Sequence, residues 1–218
     1  MNRKSRKKES SFKNLTSKDM IIKLGILSSA IALFGISKLS FTPSQPKPKR
    51  QVYIAYELKT EKSVNFVTDL NDKFSRTNLE SPMNVDILKD RQISNIYGVS
   101  SQGSLRDIEK DLQVIRSDDQ ALIQAINRVK GLIDEKQELH AFIVSEGTND
   151  KLTIKQIQNI AQEIAQKKPK NFHLYLMGVN PDFKIEFSDA FHSIREIVHS
   201  CPNTQYEQCS AFIDKLEE

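Results

Sequence analysis

The hydrophobic and polar positions of this chain change rhythm at about residue 50. Beyond that point short apolar runs alternate with longer stretches whose apolar residues recur every three to four positions. Residues 51–58 (QVYIAYEL), 84–89 (NVDILK), 139–145 (LHAFIVS) and 171–179 (NFHLYLMGV) are rich in β-branched and aromatic side chains and bounded by polar segments, the signature of buried strands. Residues 64–76, 104–115, 118–135 and 153–167 have the helical period; in the third, Leu122, Ile126, Val129 and Ile133 share one face. Asp118 and Thr153 stand where N-caps are expected. A further helix is predicted over 188–200, with Phe191, Ile194 and Ile197 on one side, and 92–100 reads as an edge strand. Strand and helix alternating at this spacing predict an α/β domain over 51–218: a doubly wound, mainly parallel sheet with helices on both faces. Ligands of such sheets bind beyond the carboxyl ends of the strands.

The first fifty residues follow no such rhythm. Residues 20–41 (MIIKLGILSSAIALFGISKLSF) are almost wholly apolar, but the charge-free part, 24–37, is only 14 residues long. Spanning a bilayer takes about 20 residues, so Lys23 and Lys38 must extend their amines toward the two interfaces. The expected element is one N-terminal transmembrane helix acting as a signal anchor. A cleaved signal peptide wants small residues at the cut, which Ser37-Lys38-Leu39-Ser40 does not supply, and a buried or surface-lying helix is the third reading. Residues 1–19 form a basic head and 42–50, with three prolines in nine residues, an extended linker.

Charge sharpens this division. The first fifty residues carry twelve Lys and Arg against Glu9 and Asp19, a net of +10. The whole chain has 32 positive and 28 negative side chains, so residues 51–218 keep 20 against 26, a net of −6. The positive excess therefore lies beside the apolar run, and the folded part does not read as a nucleic-acid binder. Eight positives precede or open the span and four follow it, which predicts a cytoplasmic N-terminus and a domain held outside the cytoplasm. In that setting Cys201 and Cys209 are expected to form a disulfide.

Enzyme signatures are sparse. No G-x-G-x-x-G follows the first strand, and neither a phosphate-loop Gly-Lys-Ser/Thr nor a G-x-S-x-G elbow occurs among the seven glycines. His140 and His173 fall inside predicted strands, which points to packed core roles. His192 and His199, seven apart on the helix predicted over 188–200, lie about 10.5 Å apart along its axis, too far to grip one metal. Asp118-Asp119 reads as a helix N-terminus rather than a catalytic pair. The chain is expected to have no catalytic residues and no cofactor.

The order of segments resembles a von Willebrand factor type A (vWA) domain. That family's first strand runs into Asp-x-Ser-x-Ser, and here Glu57, Lys59 and Glu61 take the three places. Ser145-Glu146-Gly147, followed by Asn149-Asp150, resembles its Thr/Ser-Asp-Gly motif. Gln120-Ala-Leu122-Ile-Gln-Ala125-Ile126 resembles its Thr-x-Leu-x-x-Ala-Leu helix start, and Gly178-Val179-Asn180 its late Gly-Val-Gly turn. The resemblance implies a divalent-metal adhesion site, for Mg²⁺ above all, at the top of the sheet. Lys59 stands where that site needs an oxygen, and an ammonium has no lone pair, so the site is expected to be degenerate, with Glu57 and Glu146 as its remaining carboxylates. The implied function is a membrane-anchored, non-enzymatic interaction module that takes a protein partner through Glu57, Lys59, Glu61, Gln120, Glu146 and Asn149. The alternatives are a metal-dependent hydrolase-type enzyme using Glu57 and Glu146, and a structural component of a cell-envelope or secretion complex.

Overall fold

A computed structural model describes residues 49–77, 83–89, 92–99, 105, 108 and 112–217, with backbone only for 92–99. The basic head, the predicted transmembrane helix, most of the linker and most of the helix predicted over 104–115 lie outside the described residues. Among the described residues no helix is long and apolar enough to cross a membrane.

Six strands form one sheet: β1 (Lys49–Glu57), β2 (Met83–Lys89), β3 (Gln92–Val99), β4 (Gln137–Val144), β5 (Phe172–Val179) and β6 (Val198–Pro202). Their order is β3-β2-β1-β4-β5-β6; β3 alone runs antiparallel, at the edge, and the other five are parallel. The helices are α1 (Glu61–Arg76), α2 (Asp119–Leu132), α3 (Lys151–Lys167), α4 (Lys184–Asp189) and α5 (Tyr206–Asp214), with a 3₁₀ turn over His192–Ile197. The α/β, mainly parallel architecture is the one the alternation predicts.

Both faces of the sheet are covered, which is why its central strands read as nearly unbroken apolar runs. Tyr53, Ala55, Ala141, Ile143, Leu174 and Leu176 face α2, α3 and the segment carrying Phe187, Phe191 and Ile194. Val52, Ile54, Tyr56, Phe142, Tyr175 and Met177 face α1, α5 and the buried, helical Leu105 and Ile108. On α1, Phe66, Val67, Leu70, Asn71 and Phe74 make the buried stripe. Asn71 belongs there because its amide donates to the Leu105 carbonyl at 2.9 Å and its Oδ1 accepts from the Tyr56 hydroxyl at 3.2 Å. Thr60 starts the helix with a capping box: its Oγ1 accepts from Ser63 N at 3.0 Å, and Ser63 Oγ accepts from Thr60 N at 2.9 Å.

Four local expectations need correction. β1 begins at Lys49, so Lys49 and Arg50, expected in the linker, pair with Gln137 and Glu138 of β4. Thr153 does not cap α3; Asp150 does, accepting from Thr153 N at 2.8 Å. Residues 112–118 are not helical, and the Ile115 amide donates to the Leu58 carbonyl instead. The helix predicted over 188–200 breaks into the end of α4, the 3₁₀ turn and β6, so His192 and His199 do not share a helix. Its apolar residues sit three apart, which is the repeat of a 3₁₀ helix as much as of an α-helix. A disulfide joins Cys201 on β6 to Cys209 on α5, with Cα atoms 5.5 Å apart, the pair expected from the sequence.

Candidate functional site

The strand order turns back on itself at β1 and β4, so the loops leaving these two neighbours open a crevice at their carboxyl ends. Glu57 is the last residue of β1 and is 1% exposed. So deep a carboxylate needs partners, and it has three. Ser145 Oγ donates to its Oε2 at 2.5 Å, Ser117 Oγ donates to its Oε1 at 3.2 Å, and Lys59 Nζ lies 3.0 Å from Oε1. Lys59 also donates to Asp119 Oδ1 at 3.1 Å. The ammonium thus bridges two carboxylates delivered by β1 and by the first turn of α2.

The chain continues beyond Asp119. Its Oδ2 accepts from Thr148 Oγ1 at 2.7 Å and lies 3.3 Å from Thr153 Oγ1, whose single proton goes to Asp150 Oδ2 at 2.8 Å. Glu146, next to Ser145 in the turn after β4, accepts from Thr60 Oγ1 at 2.6 Å. One network therefore ties the β1–α1 turn, the segment entering α2 and the β4–α3 loop. Gly147 lets that loop turn: its φ is +80°, and its amide donates to Ser145 Oγ at 2.9 Å.

Burial pushes the Glu57 carboxyl up, against the pull of Lys59 and of the serine hydroxyls. Burial also works against the Lys59 charge, but the nearby Glu57 and Asp119 more than offset it and lift the ammonium above its ordinary value. We assign the ion pair, because an ammonium at 3.0 Å and two donating hydroxyls all favour the carboxylate. Asp150 lies below the usual range because Thr153 donates to it from both backbone and side chain.

Of the six residues expected at the mouth, Glu57, Lys59 and Glu146 enter this network, the first two directly and Glu146 through Thr60. Glu61, Gln120 and Asn149 are exposed around it: Glu61 in the first turn of α1, Gln120 in the first turn of α2 and Asn149 in the β4–α3 loop. Lys59 pairs with Glu57 and with Asp119. Sequence reading missed Asp119, Ser117, Ser145, Thr148 and Thr153 as site groups. The family helix-start pattern places Gln120 where a ligand is expected, and the residue that turns inward is its neighbour. A recess lined by Glu57, Ser63, Phe66, Val144, Ser145, Glu146, Gly178 and Asn203 holds only about 10 Å³, room for one water.

No family model matches the chain, and no curated protein does. Solved structures with similar folds include an aerotolerance-related membrane protein from Bacteroides fragilis NCTC 9343, crystallised with multiple mutations to serines: 11% identity, TM-score 0.51, covering 76% of this chain and 99% of that one. The conserved hypothetical protein BatB from Bacteroides thetaiotaomicron (13% identity, TM-score 0.49, 77% and 98%) and the SpRpn10 VWA domain (13%, 0.49, 77% and 95%) also match. At 11% identity the first likeness establishes the fold alone: the sheet and helices of this chain are arranged similarly to those of the Bacteroides fragilis membrane protein.

Proposed function

We propose that the chain is a membrane-anchored, non-enzymatic vWA-like interaction module whose binding face is the crevice mouth at the ends of β1 and β4. The observation that carries this reading is Lys59, whose ammonium bridges Glu57 and Asp119. In the family the sequence resembles, a divalent ion holds such acidic groups together. Here a covalently attached cation does so, and the mouth is preorganised without an exchangeable one. Around the bridge stand exposed Glu61, Gln120 and Asn149 and the half-buried Glu146, a polar rim suited to a protein partner.

The hydrolase alternative needs Glu57 and Glu146 to converge on one ion. Lys59, Ser117 and Ser145 already engage both oxygens of Glu57, and Glu146 reaches toward Thr60. These facts favour the interaction reading. The N-terminal apolar run supports the anchor and the charge bias supports a domain outside the cytoplasm, and a structure of similar fold is described as a membrane protein.

The test is partner capture by the tagged full chain, cross-linked in its own cells. Lys59→Ala combined with Glu146→Lys is expected to abolish the cross-linked adduct while the domain stays folded. Undiminished capture by that folded double variant refutes the assignment of this surface.

A further inference from the structure

At the other end of the sheet, where β4 and β5 begin, parallel pairing sets His140 directly beside His173. Glu138, two residues earlier on β4, projects to the same side as His140. The two imidazoles stack with centroids 5.0 Å apart and planes 26° apart. One donor atom from each of Glu138, His140 and His173 lies within 4.8 Å of the other two.

His140 is 4% exposed, and its Nε2 has no hydrogen-bond partner. Glu138 Oε1 lies 3.1 Å from that nitrogen, an ion-pair contact when the ring is protonated. A buried polar atom in that state calls for an explanation. The other groups around it are held in place. Tyr175 Oη is 3.3 Å from His140 Nδ1, an outer contact that orients the ring and, as a hydroxyl that can donate or accept, suits either tautomer. Arg50 Nε donates to Glu138 Oε2 at 3.2 Å, which leaves Oε1 turned toward the ring.

We propose that Glu138, His140 and His173 form a binding site for a divalent transition metal of the Zn²⁺ class. Two imidazoles and one carboxylate suit borderline ions, whereas Mg²⁺ and Ca²⁺ prefer all-oxygen shells. Bonds of about 2.0–2.2 Å in a tetrahedral array bring donor atoms to about 3.5 Å apart. The cluster therefore needs to close by little more than 1 Å and the stacked rings to turn until their in-plane lone pairs converge, a movement that falls to the partly exposed His173. Three protein ligands leave one position for water. His199 extends the stacked row, 6.1 Å beyond His173, outside the donor cluster. The site lies away from the Lys59 mouth and does not depend on the proposed partner binding.

The experiment uses the full chain in detergent, stripped with EDTA and titrated with Co²⁺, whose visible absorption reports four-coordinate nitrogen and oxygen ligands, and then with Zn²⁺. One Co²⁺ per chain is expected, displaced by one Zn²⁺. Glu138→Gln and His173→Ala should each weaken binding at least about tenfold, the effect of losing even an outer-shell partner. His192→Ala, at an exposed histidine outside the cluster, should leave binding unchanged. Circular dichroism without metal confirms folding, and the nearly isosteric Glu138→Gln carries the test if His173→Ala unfolds. No Co²⁺ bound, binding unchanged in the folded cluster variants, or equal loss in His192→Ala overturns the site.

Discussion

Replacing Lys59 with methionine keeps most of the side-chain volume and removes the charge that bridges Glu57 and Asp119. Breaking a fully buried ion pair costs about 3–5 kcal/mol, because the remaining charge stays desolvated. Here Glu57 is 1% exposed but the Lys59 side chain is 25% exposed, and Ser145 and Ser117 still donate to the carboxylate. The expected cost at neutral pH is therefore smaller, about 2–3 kcal/mol, or a fall in Tm of about 5–10 °C for a domain of this size. The loss should depend on pH. Without the ammonium, burial keeps Glu57 protonated in the fold at pH values where the unfolded chain has released its proton. Stability of the variant then falls as pH rises above the usual carboxylate value of about 4.3 and is regained as pH drops toward it. Adding Glu57→Gln removes the buried charge and should recover most of the loss. Urea denaturation of all four members of the cycle at several pH values measures these terms. A cost below about 0.5 kcal/mol for Lys59→Met, or no rescue by Glu57→Gln, would refute the bridge as the element holding the mouth.

Removing the Cys201–Cys209 bridge, by reduction or by a double Ala variant, should cost about 2–3 kcal/mol in the chain-entropy account. In intact cells a membrane-impermeant thiol reagent should label these cysteines only after external reduction; labelling only after lysis, without reduction, would place the domain in the cytoplasm. Gly178→Ala should destabilise by about 1–3 kcal/mol, because φ is +81° and the new Cβ would sit 2.9 Å from Phe66 Cε1. Gly131→Ala, in α2 with nothing within 4 Å, should instead stabilise by about 0.5–1 kcal/mol; thermal melts check both. In EDTA, unfolding free energy should drop as pH falls below about 6.5: burial lowers His140, so the unfolded chain takes up the proton first. A denaturation series across that range checks this, and His140→Gln should flatten the slope.

The central architecture was legible because β1, β2, β4 and β5 are buried on both faces and write themselves as apolar runs. β6 was not. Its five residues include His199 and Ser200, and they follow Phe191, Ile194 and Ile197, whose three-residue spacing serves a 3₁₀ turn as well as a helix. At the mouth, Glu57, Lys59 and Glu146 were readable because each lies within two residues of a strand's carboxyl end. Asp119 was hidden because an acid in the first turn of a helix has a sufficient local reason to be there. The Glu138, His140 and His173 cluster is invisible in one dimension. His140 and His173 are 33 positions apart, and only the β4–β5 register makes them neighbours.

The central claim, that the mouth around Lys59 is the partner-binding face, is tested most directly by site-specific photo-cross-linking of the full chain in cells. A photoreactive residue at Asn149, exposed beside the network, is compared with one at Gln162, exposed midway along α3. The account predicts a discrete adduct from Asn149, retained when divalent cations are chelated, and none from Gln162. An adduct from Gln162 alone, or one from Asn149 that vanishes on chelation, would contradict it.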